Sequence, residues 1–514
     1  MPSVFEKEFR ISYLALIVFF TGIIIYSFSF TVSFNNDEIA FIQRTEIKNV
    51  DNLISLCGKQ EFDGVYYRPI GNVISGFITL AIKYYTPGYR VINAVLNAIN
   101  GILLFLTGLY ILRTTPHRKA ISFWAAIFFL LHPINNYAVI WHTALFERVF
   151  LSFYLIALLL FLKKGQWGVL SLISFLAALM SKEMAFSFPF VIFLVSFYLN
   201  KKNGIKKALS DFMPYAILTF LFIAFRIISF NNNVFTSQEA HAYISFFAII
   251  KNYLFFIGAM IFPFFLKDVE SFLQMHNYII FMVIPVAGLL SYWIYNKYDK
   301  KLLLLIFLLT IVSILPASRL FMRWYLYLPS VFFCLGLSYS INSINSYRNK
   351  MIILTILICS YLSVNIYNQL QWAKVSHQGD DIITQLKNDY SSDLQSSKTI
   401  IFVNLPAKIN DIPLFQLGFD YHVNYYLKSN NKCIFIAKEV MQSVTDSIML
   451  DVDNNILRIT AEKGNSFLPG DNVRYANISV ENRLNNTIYL NLQKIENGIV
   501  FIFNHGKFIK IKDN

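Results

Sequence analysis

The chain has 514 residues, 44 of them Lys or Arg and 30 Asp or Glu, a formal charge of +14. Apolar residues make up 56% and charged residues 14%, against about 25% charged in a soluble domain. Too little polar surface is left to cover such a chain in water, which excludes a soluble enzyme, a fibrous protein and a disordered chain.

A helix needs about 20 apolar residues to cross a bilayer. Segments of that kind run roughly through 11–34, 90–112, 120–141, 145–162, 166–180, 184–200, 208–230, 277–296, 302–316, 324–342 and 351–369. The first is longer than a cleavable leader and lacks a small-residue cleavage site, so it is expected to stay as an anchor. Basic clusters fall at Arg113/Arg118/Lys119, Lys163/Lys164, Lys201/Lys202/Lys206/Lys207, Lys297/Lys300/Lys301 and Arg348/Lys350. Placing all five on the cytoplasmic side predicts eleven spans, with the N-terminus inside and the C-terminus outside. Residues 246–266 are then re-entrant or interfacial, broken at Pro263, because a further crossing would put Lys297, Lys300 and Lys301 outside. The basic excess is therefore a topology signal, and no nucleic-acid partner is expected.

From about residue 373 charges and Asn become frequent, and short alternating runs appear at 399–404, 433–437, 447–452, 456–461, 488–492 and 499–503. Asn454-Asn455, Asn497-Gly498 and His505-Gly506 suit hairpin turns between them. The expected organisation is a multi-span domain over 1–372, with a first outer loop at 35–68, and a soluble, β-rich, extracytoplasmic domain over 373–514. The cysteines Cys57, Cys334, Cys359 and Cys433 show no metal spacing. A Cys57–Cys433 bridge is conceivable in an oxidising compartment.

The expected topology collects ionisable residues on one leaflet, and at membrane depth such residues mark a functional site by default. Asn36-Asp37-Glu38 follows the first span, either as a solvated helix end or as a base, with Asp37 deprotonating an acceptor hydroxyl and Glu38 orienting it. Arg68, before Pro69, either pairs with a lipid headgroup or grips a phosphate with its planar fork. His132, before the helix-breaking Pro133, is either a helix-end hydrogen bonder or a site residue, and His142, Glu147 and Arg148 follow it. Glu147–Arg148 is expected to include one structural ion pair. Ser181-Lys182-Glu183 is a short turn in which Lys182 suits a lipid-linked phosphate and Glu183 fixes its position. Arg319, Arg323, Tyr325 and Tyr327 are either interfacial anchors or the lining of an anion site.

The string YYRPIGNVISGFITLAIKYYTPGYRVINAVLNAINGILLF resembles the first-loop region of the transmembrane and tetratricopeptide-containing O-mannosyltransferases and their bacterial relatives. So do LHPINNYAVIWHTALFER, LAALMSKEMAFSFPFVIFL, NYLFFIGAMIFPFFL and RWYLYLPS, in the family's order, over patches of about residues 30–335. The resemblance implies a GT-C membrane glycosyltransferase with a catalytic acid in its first outer loop and a polyprenyl-phosphate sugar as donor. On it, Asp37 matches the loop acid, and Arg68, His132, Lys182, Glu183 and Arg323 match other motif positions. Asn97 stands where the family often has His, and the β-rich tail replaces helical repeats, so acceptor recognition is not carried over.

The expected activity is inverting, metal-independent sugar transfer to a protein, lipid or glycan hydroxyl on the outer face, of hexosyl or mannosyl type. No cofactor is implied, since the cations do what a metal would, although Asp268 and Glu270 remain a candidate divalent-metal pair. Other readings are a lipid or polysaccharide transporter, for which polar residues through the full membrane depth or repeated halves are expected, and an assembly scaffold. The Asn, Lys and Ile content points to an AT-rich bacterial genome, hence an inner-membrane protein facing the periplasm.

Overall fold

The computed structural model describes residues 10–58, 66–164, 168–200, 204–230, 246–263, 300–396 and 399–428, and most of 432–512. Contacts divide the chain into two units, one holding residues up to Phe30 and Thr45–Gln369, the other Thr31–Arg44 and Leu370–Asn514. The short segment 31–44, which carries Asp37 and Glu38, thus groups with the C-terminal part of the chain.

The first unit is helical. In chain order it contains α1 (Ile11–Ile25), α3 (Val50–Gly58), α4 (Pro69–Ile82), α5 (Thr86–Ile111), α6 (Arg118–Leu131), α7 (Asn136–Ile140) and α8 (Leu145–Lys164). There follow α9 (Val169–Leu179), α10 (Phe188–Leu199), α11 (Gly204–Ser229), α12 (Phe246–Ile261), α13 (Lys300–Ile314) and α14 (Tyr327–Asn342), while α15 (Tyr347–Ser396) runs on into the second unit. Helix α2 (Glu38–Thr45) lies almost wholly in the second. Among the described residues six helices are long and apolar enough to cross a membrane, or seven if α6 and the helical turns after Pro133, bent by 51°, make one span. Five more apolar helices are shorter. The chain is an integral membrane protein. The expected span at 277–296 lies outside the described residues.

Two differences from the sequence reading have local causes. Helix α4 lies in a stretch not expected to hold an apolar helix; Pro69 at its first turn sets φ and lacks the N–H that a first turn leaves unused. The first span was expected to continue to residue 34, but α1 ends at Ile25. Gln369 accepts from the Ser29 N–H at 2.9 Å and donates to the Ile25 carbonyl at 2.8 Å, supplying the partners that a helix end needs.

Helix α5 packs against α1, α6 and α8, and α14 against α6 and α13. Small residues permit the close approach, as is usual where helices associate without a hydrophobic driving force. A Cβ on Gly22 of α1 would sit 2.8 Å from the Ala98 Cβ of α5, and one on Gly108 of α5 would sit 2.8 Å from Ser122 Oγ of α6.

The second unit contains two sheets. Strands β1 (Thr399–Ile409), β2 (Ile412–Pro413), β3 (Lys432–Met441), β6 (Ser466–Phe467), β9 (Ile499–Asn504) and β10 (Lys507–Lys512) form the first, in the order β10-β9-β1-β3-β6 with β2 on β1. Strands β4 (Ile448–Asp453), β5 (Ile456–Ala461), β7 (Val480–Arg483) and β8 (Thr487–Asn491) form an antiparallel second sheet, in the order β4-β5-β8-β7. Every alternating run of the sequence coincides with a strand. Of the expected hairpins, β4–β5 and β9–β10 are antiparallel neighbours, whereas β8 and β9, on either side of Asn497-Gly498, belong to different sheets, and β1 pairs in parallel with both β3 and β9. A central strand of that kind is covered on both faces, which accounts for the unbroken apolar run Ile400–Val403 and its burial. The β9–β10 turn does use His505-Gly506, both at positive φ. Asn454, Asn455, Asn497 and Gly498 lie outside the described residues.

Residues Phe402, Phe419, Phe501, Phe503 and Phe508 make the core of this sheet with Ile382, Leu405 and Leu414. Helix α16 (Phe419–Leu427) contributes Phe419 and Val423 to it. All four cysteines are free thiols, so Cys57 and Cys433 are not bridged. Cys433 sits in β3, where burial pushes its thiol up to about 12.

Candidate active site

In the first unit, two chain reversals bring charged residues together. Arg68 ends an extended stretch, because a residue before proline is kept out of the helical region, and Pro69 then opens α4. The Ile70 N–H donates to the Met180 carbonyl at 3.2 Å, which ties this start to the turn after α9. There Lys182 is extended, and a short 3₁₀ turn, Glu183–Ser187, leads into α10.

Arg68 donates to Glu183 Oε2 through Nη2 at 2.8 Å and Nε at 3.2 Å. The other oxygen of Glu183 lies 3.6 Å from Arg226 Nη1 of α11. Lys182 forms a hydrogen-bonded ion pair with Glu147 of α8, and Arg68 and Glu183 are within electrostatic reach of it. The five groups carry three positive charges and two negative ones. The side chains of Arg68, Lys182, Glu147 and Arg226 are 9%, 6%, 1% and 4% exposed, and only Glu183 reaches 24%. Burial on that scale holds a charge only where partners are well placed.

Aromatic rings wall the cluster. The Arg68 guanidinium lies 4.2 Å from the Tyr66 ring centroid and 5.1 Å from that of Phe146, and Lys182 Nζ lies 4.9 Å from that of Tyr325. Such faces favour a cation without neutralising it. Gly71, the third residue of α4, has the Phe146 ring where a Cβ would stand, so the ring can approach Arg68.

The remaining sequence candidates of this unit take other partners. His132 closes the end of α6: its Nδ1 accepts from the Ile134 N–H at 3.3 Å, and its Nε2 is 3.1 Å from the Met260 carbonyl oxygen. His142 packs edge-on against Tyr89, and its Nδ1 is 3.1 Å from Asn93 Oδ1. The ion pair expected within Glu147–Arg148 is replaced by Glu147–Lys182. Arg148 donates to the Ala138 carbonyl and, at 2.8 Å, to Asn93 Oδ1, so its guanidinium serves the carbonyl end of α7. Tyr327 donates to Asn97 Oδ1 at 2.8 Å and accepts from Asn100 Nδ2 at 3.2 Å. Arg323 lies 5.3 Å from the Tyr137 ring centroid, and the Arg319 carbonyl accepts from Asn252 Nδ2 at 2.8 Å. Arg226 was not among the sequence candidates. Its signal was an ionisable residue within an otherwise apolar run.

In the second unit, Asp37 and Glu38 open α2. Glu38, the first residue of α2, reaches back to accept from the Asn35 N–H at 3.0 Å. Its carboxylate is thereby occupied with the helix start. The Asp37 carboxylate lies 3.4 Å from Asn36 Nδ2 and is 8% exposed as a residue. Nearby in this unit, Arg44 lies 5.4 Å from the Tyr421 ring centroid. Burial holds His422 below the ordinary histidine range and raises the Asp420 carboxyl.

Among the described residues no group of three His, Cys, Asp or Glu is placed to hold a metal. Asp268 and Glu270 lie outside the described residues.

No protein-family model matches the chain, and no curated protein sequence matches it. Among solved structures it is similar to the Archaeoglobus fulgidus oligosaccharyltransferase tethered with an acceptor peptide containing the NVT sequon. The similarity has 12% identity and a TM-score of 0.39, and covers 77% of this chain and 62% of that one. The chain thus spans less than two thirds of the length of that protein, and a likeness at this level carries neither fold nor activity across.

Proposed function

We propose that the protein is a membrane glycosyltransferase that moves a sugar from a polyprenyl-phosphate donor to an acceptor hydroxyl on the outer face of the membrane, with inversion. The observation that carries this reading is the buried cluster of Arg68, Lys182, Glu147 and Glu183, at the starts of apolar helices or helical turns, with Arg226 from the last turn of α11. Two carboxylates and aromatic walls hold three cations together there. An anion carried on an apolar tail suits such a place: the clustered cations attract its charge and its chain stays in the bilayer.

On this reading the acceptor oxygen attacks the anomeric carbon as the bond from that carbon to the phosphate oxygen breaks. Asp37 takes the hydroxyl proton, and the prenyl phosphate leaves with the electron pair. Arg68 and Lys182 stabilise the charge that grows on the leaving phosphate, a role in which preorganised cations lower a barrier most. Glu183 and Glu147 hold those cations at fixed positions, so little reorganisation is left for the reaction itself. The side-chain cations supply the charge that a divalent metal would otherwise bring, and transfer is expected to survive a chelator.

The test is donor titration with the purified protein in nanodiscs, using a panel of labelled polyprenyl-phosphate hexoses. The acceptor class is found beforehand by mass spectrometry of glycans from a deletion strain. Arg68→Lys keeps the charge but loses the planar fork, and hydrogen bonds to charged groups are worth about 1.5–3 kcal/mol, so loss of one to the donor phosphate should lower donor affinity about 10–100-fold. Lys202→Ala, in a loop expected on the opposite side, should leave the titration curve where it was. An unchanged donor dependence in Arg68→Lys and Lys182→Ala would sink the phosphate assignment.

A further inference from the structure

The segment that carries Asp37 is gripped by residues more than 330 positions later in the same unit. The Ser33 N–H donates to Ser376 Oγ at 3.0 Å, and Asn35 Nδ2 to the Pro413 carbonyl at 3.1 Å. Asn36 is held at both ends: its N–H donates to the Leu414 carbonyl at 2.5 Å, and its Oδ1 accepts from the Leu417 N–H at 2.9 Å. Its φ is +51°, a left-handed conformation in which Asn is tolerated because its short side chain hydrogen-bonds locally. Asp37 is the next residue.

Against this corner lies Gly418, with φ of +70°. A Cβ there would stand 3.0 Å from the Asp37 Cα, 3.2 Å from the Ala40 Cβ and 3.3 Å from the Asn36 carbonyl oxygen. Two independent demands therefore fall on one position: the backbone conformation disfavours any side chain, and a Cβ would crowd the Asp37 backbone. His422, whose Nδ1 is 3.2 Å from the Gly418 carbonyl oxygen, packs at 6.0 Å against Phe415 of the unit's core. The corner is thus anchored to the sheet.

We propose that the C-terminal unit is the holder of the Asp37 loop, with Gly418 as its positioning residue and Asn36 as the latch. This rests on the reading of Asp37 as the base. A proton acceptor works only within hydrogen-bond reach of the proton it takes, and a misplacement of about 1 Å can cost about 10²-fold in rate. The tail is then part of the transfer machinery by way of the first-loop acid. A methyl group at position 418 pushes on the Asp37 backbone.

The experiment compares Gly418→Ala, Asn36→Ala, Asn36→Gly and Asp37→Asn in the full-length protein, reading kcat and donor KM separately beside thermal unfolding. Gly418→Ala is expected to lower kcat by up to about 10²-fold with donor KM unchanged. Asn36→Gly keeps both the left-handed backbone and the N–H to Leu414, so it should retain more kcat than Asn36→Ala. His505→Gly, at another left-handed turn of the same unit, should leave kcat as it was. Wild-type kcat in Gly418→Ala, with Asp37→Asn inactive, overturns the positioning role and leaves the base assignment standing. Retained turnover in Asp37→Asn overturns both. If Gly418→Ala does not fold, equal kcat in Asn36→Gly and Asn36→Ala overturns the proposal.

Discussion

Removing the Lys182 charge separates binding from stability in this cluster. In Lys182→Met the Glu147 carboxylate, 1% exposed, loses the ammonium that faces it. An uncompensated buried charge costs about 3–5 kcal/mol, whereas replacing both partners of a buried pair by well-packed groups of similar volume is often neutral. The single variant should therefore unfold at a markedly lower temperature. The double variant Lys182→Met/Glu147→Leu should recover most of the loss, because no charge is left without a partner. Donor use should not recover, since the phosphate has lost the same cation in both. The assay is thermal unfolding in detergent, followed by donor titration of whichever variants fold. Recovery of both stability and donor affinity in the double variant would refute the reasoning, for Lys182 would then be a packing element and not a phosphate ligand. A single variant as stable as the parent would refute the premise that Glu147 depends on Lys182.

Asp37→Asn keeps the shape of the side chain and removes the base, so turnover should drop about 10²–10⁴-fold; Glu38→Gln should cost less turnover and weaken the start of α2, and the opposite order in a transfer assay would move the base to Glu38. Because burial holds the folded His422 below its unfolded value of 6.5, the unfolded chain binds more protons as pH falls. Its contribution to stability is therefore present above about 6.5 and lost progressively below it. A melting temperature that drops on acidification from pH 7 in the parent but less in His422→Gln would agree with this, and parallel curves would not. Cysteine labelling should reach positions beside Lys164 and Lys202 from the cytoplasmic side and positions beside Asp37 and Ser181 from the other; cytoplasmic labelling at Ser181 would invert the topology.

Local pattern alone was enough for the elements whose signal is local. Apolar length marks α5, α8 and α11, and alternation marks β5 at Ile456–Ala461 to the residue. Membrane insertion and strand formation both follow from the solvent preference of neighbouring side chains, which a sequence displays directly. Proline at 69 and 133 likewise announces the chain breaks beside Arg68 and His132. Arg68 beside Pro69, and Lys182 and Glu183 in the short polar turn between two apolar runs, were legible for the same reason.

Partnership was decided by the tertiary structure. Glu147 has an arginine beside it in the chain, yet it pairs with Lys182, because Glu147 and Arg148 leave α8 about 100° apart and Arg148 turns to the carbonyls that end α7. Glu183 draws together Arg68 and Arg226, which lie 115 residues before it and 43 after it. Likewise, nothing in residues 31–44 says that they belong with Leu370–Asn514. That follows from hydrogen bonds to Ser376, Pro413, Leu414 and Leu417, and from a glycine at 418 whose missing Cβ leaves room for the Asp37 backbone. A sequence states which groups need partners, since a buried charge or an open backbone amide always does. Which partner is supplied depends on how helices and strands far apart in the chain come to pack, and that is a property of the folded molecule.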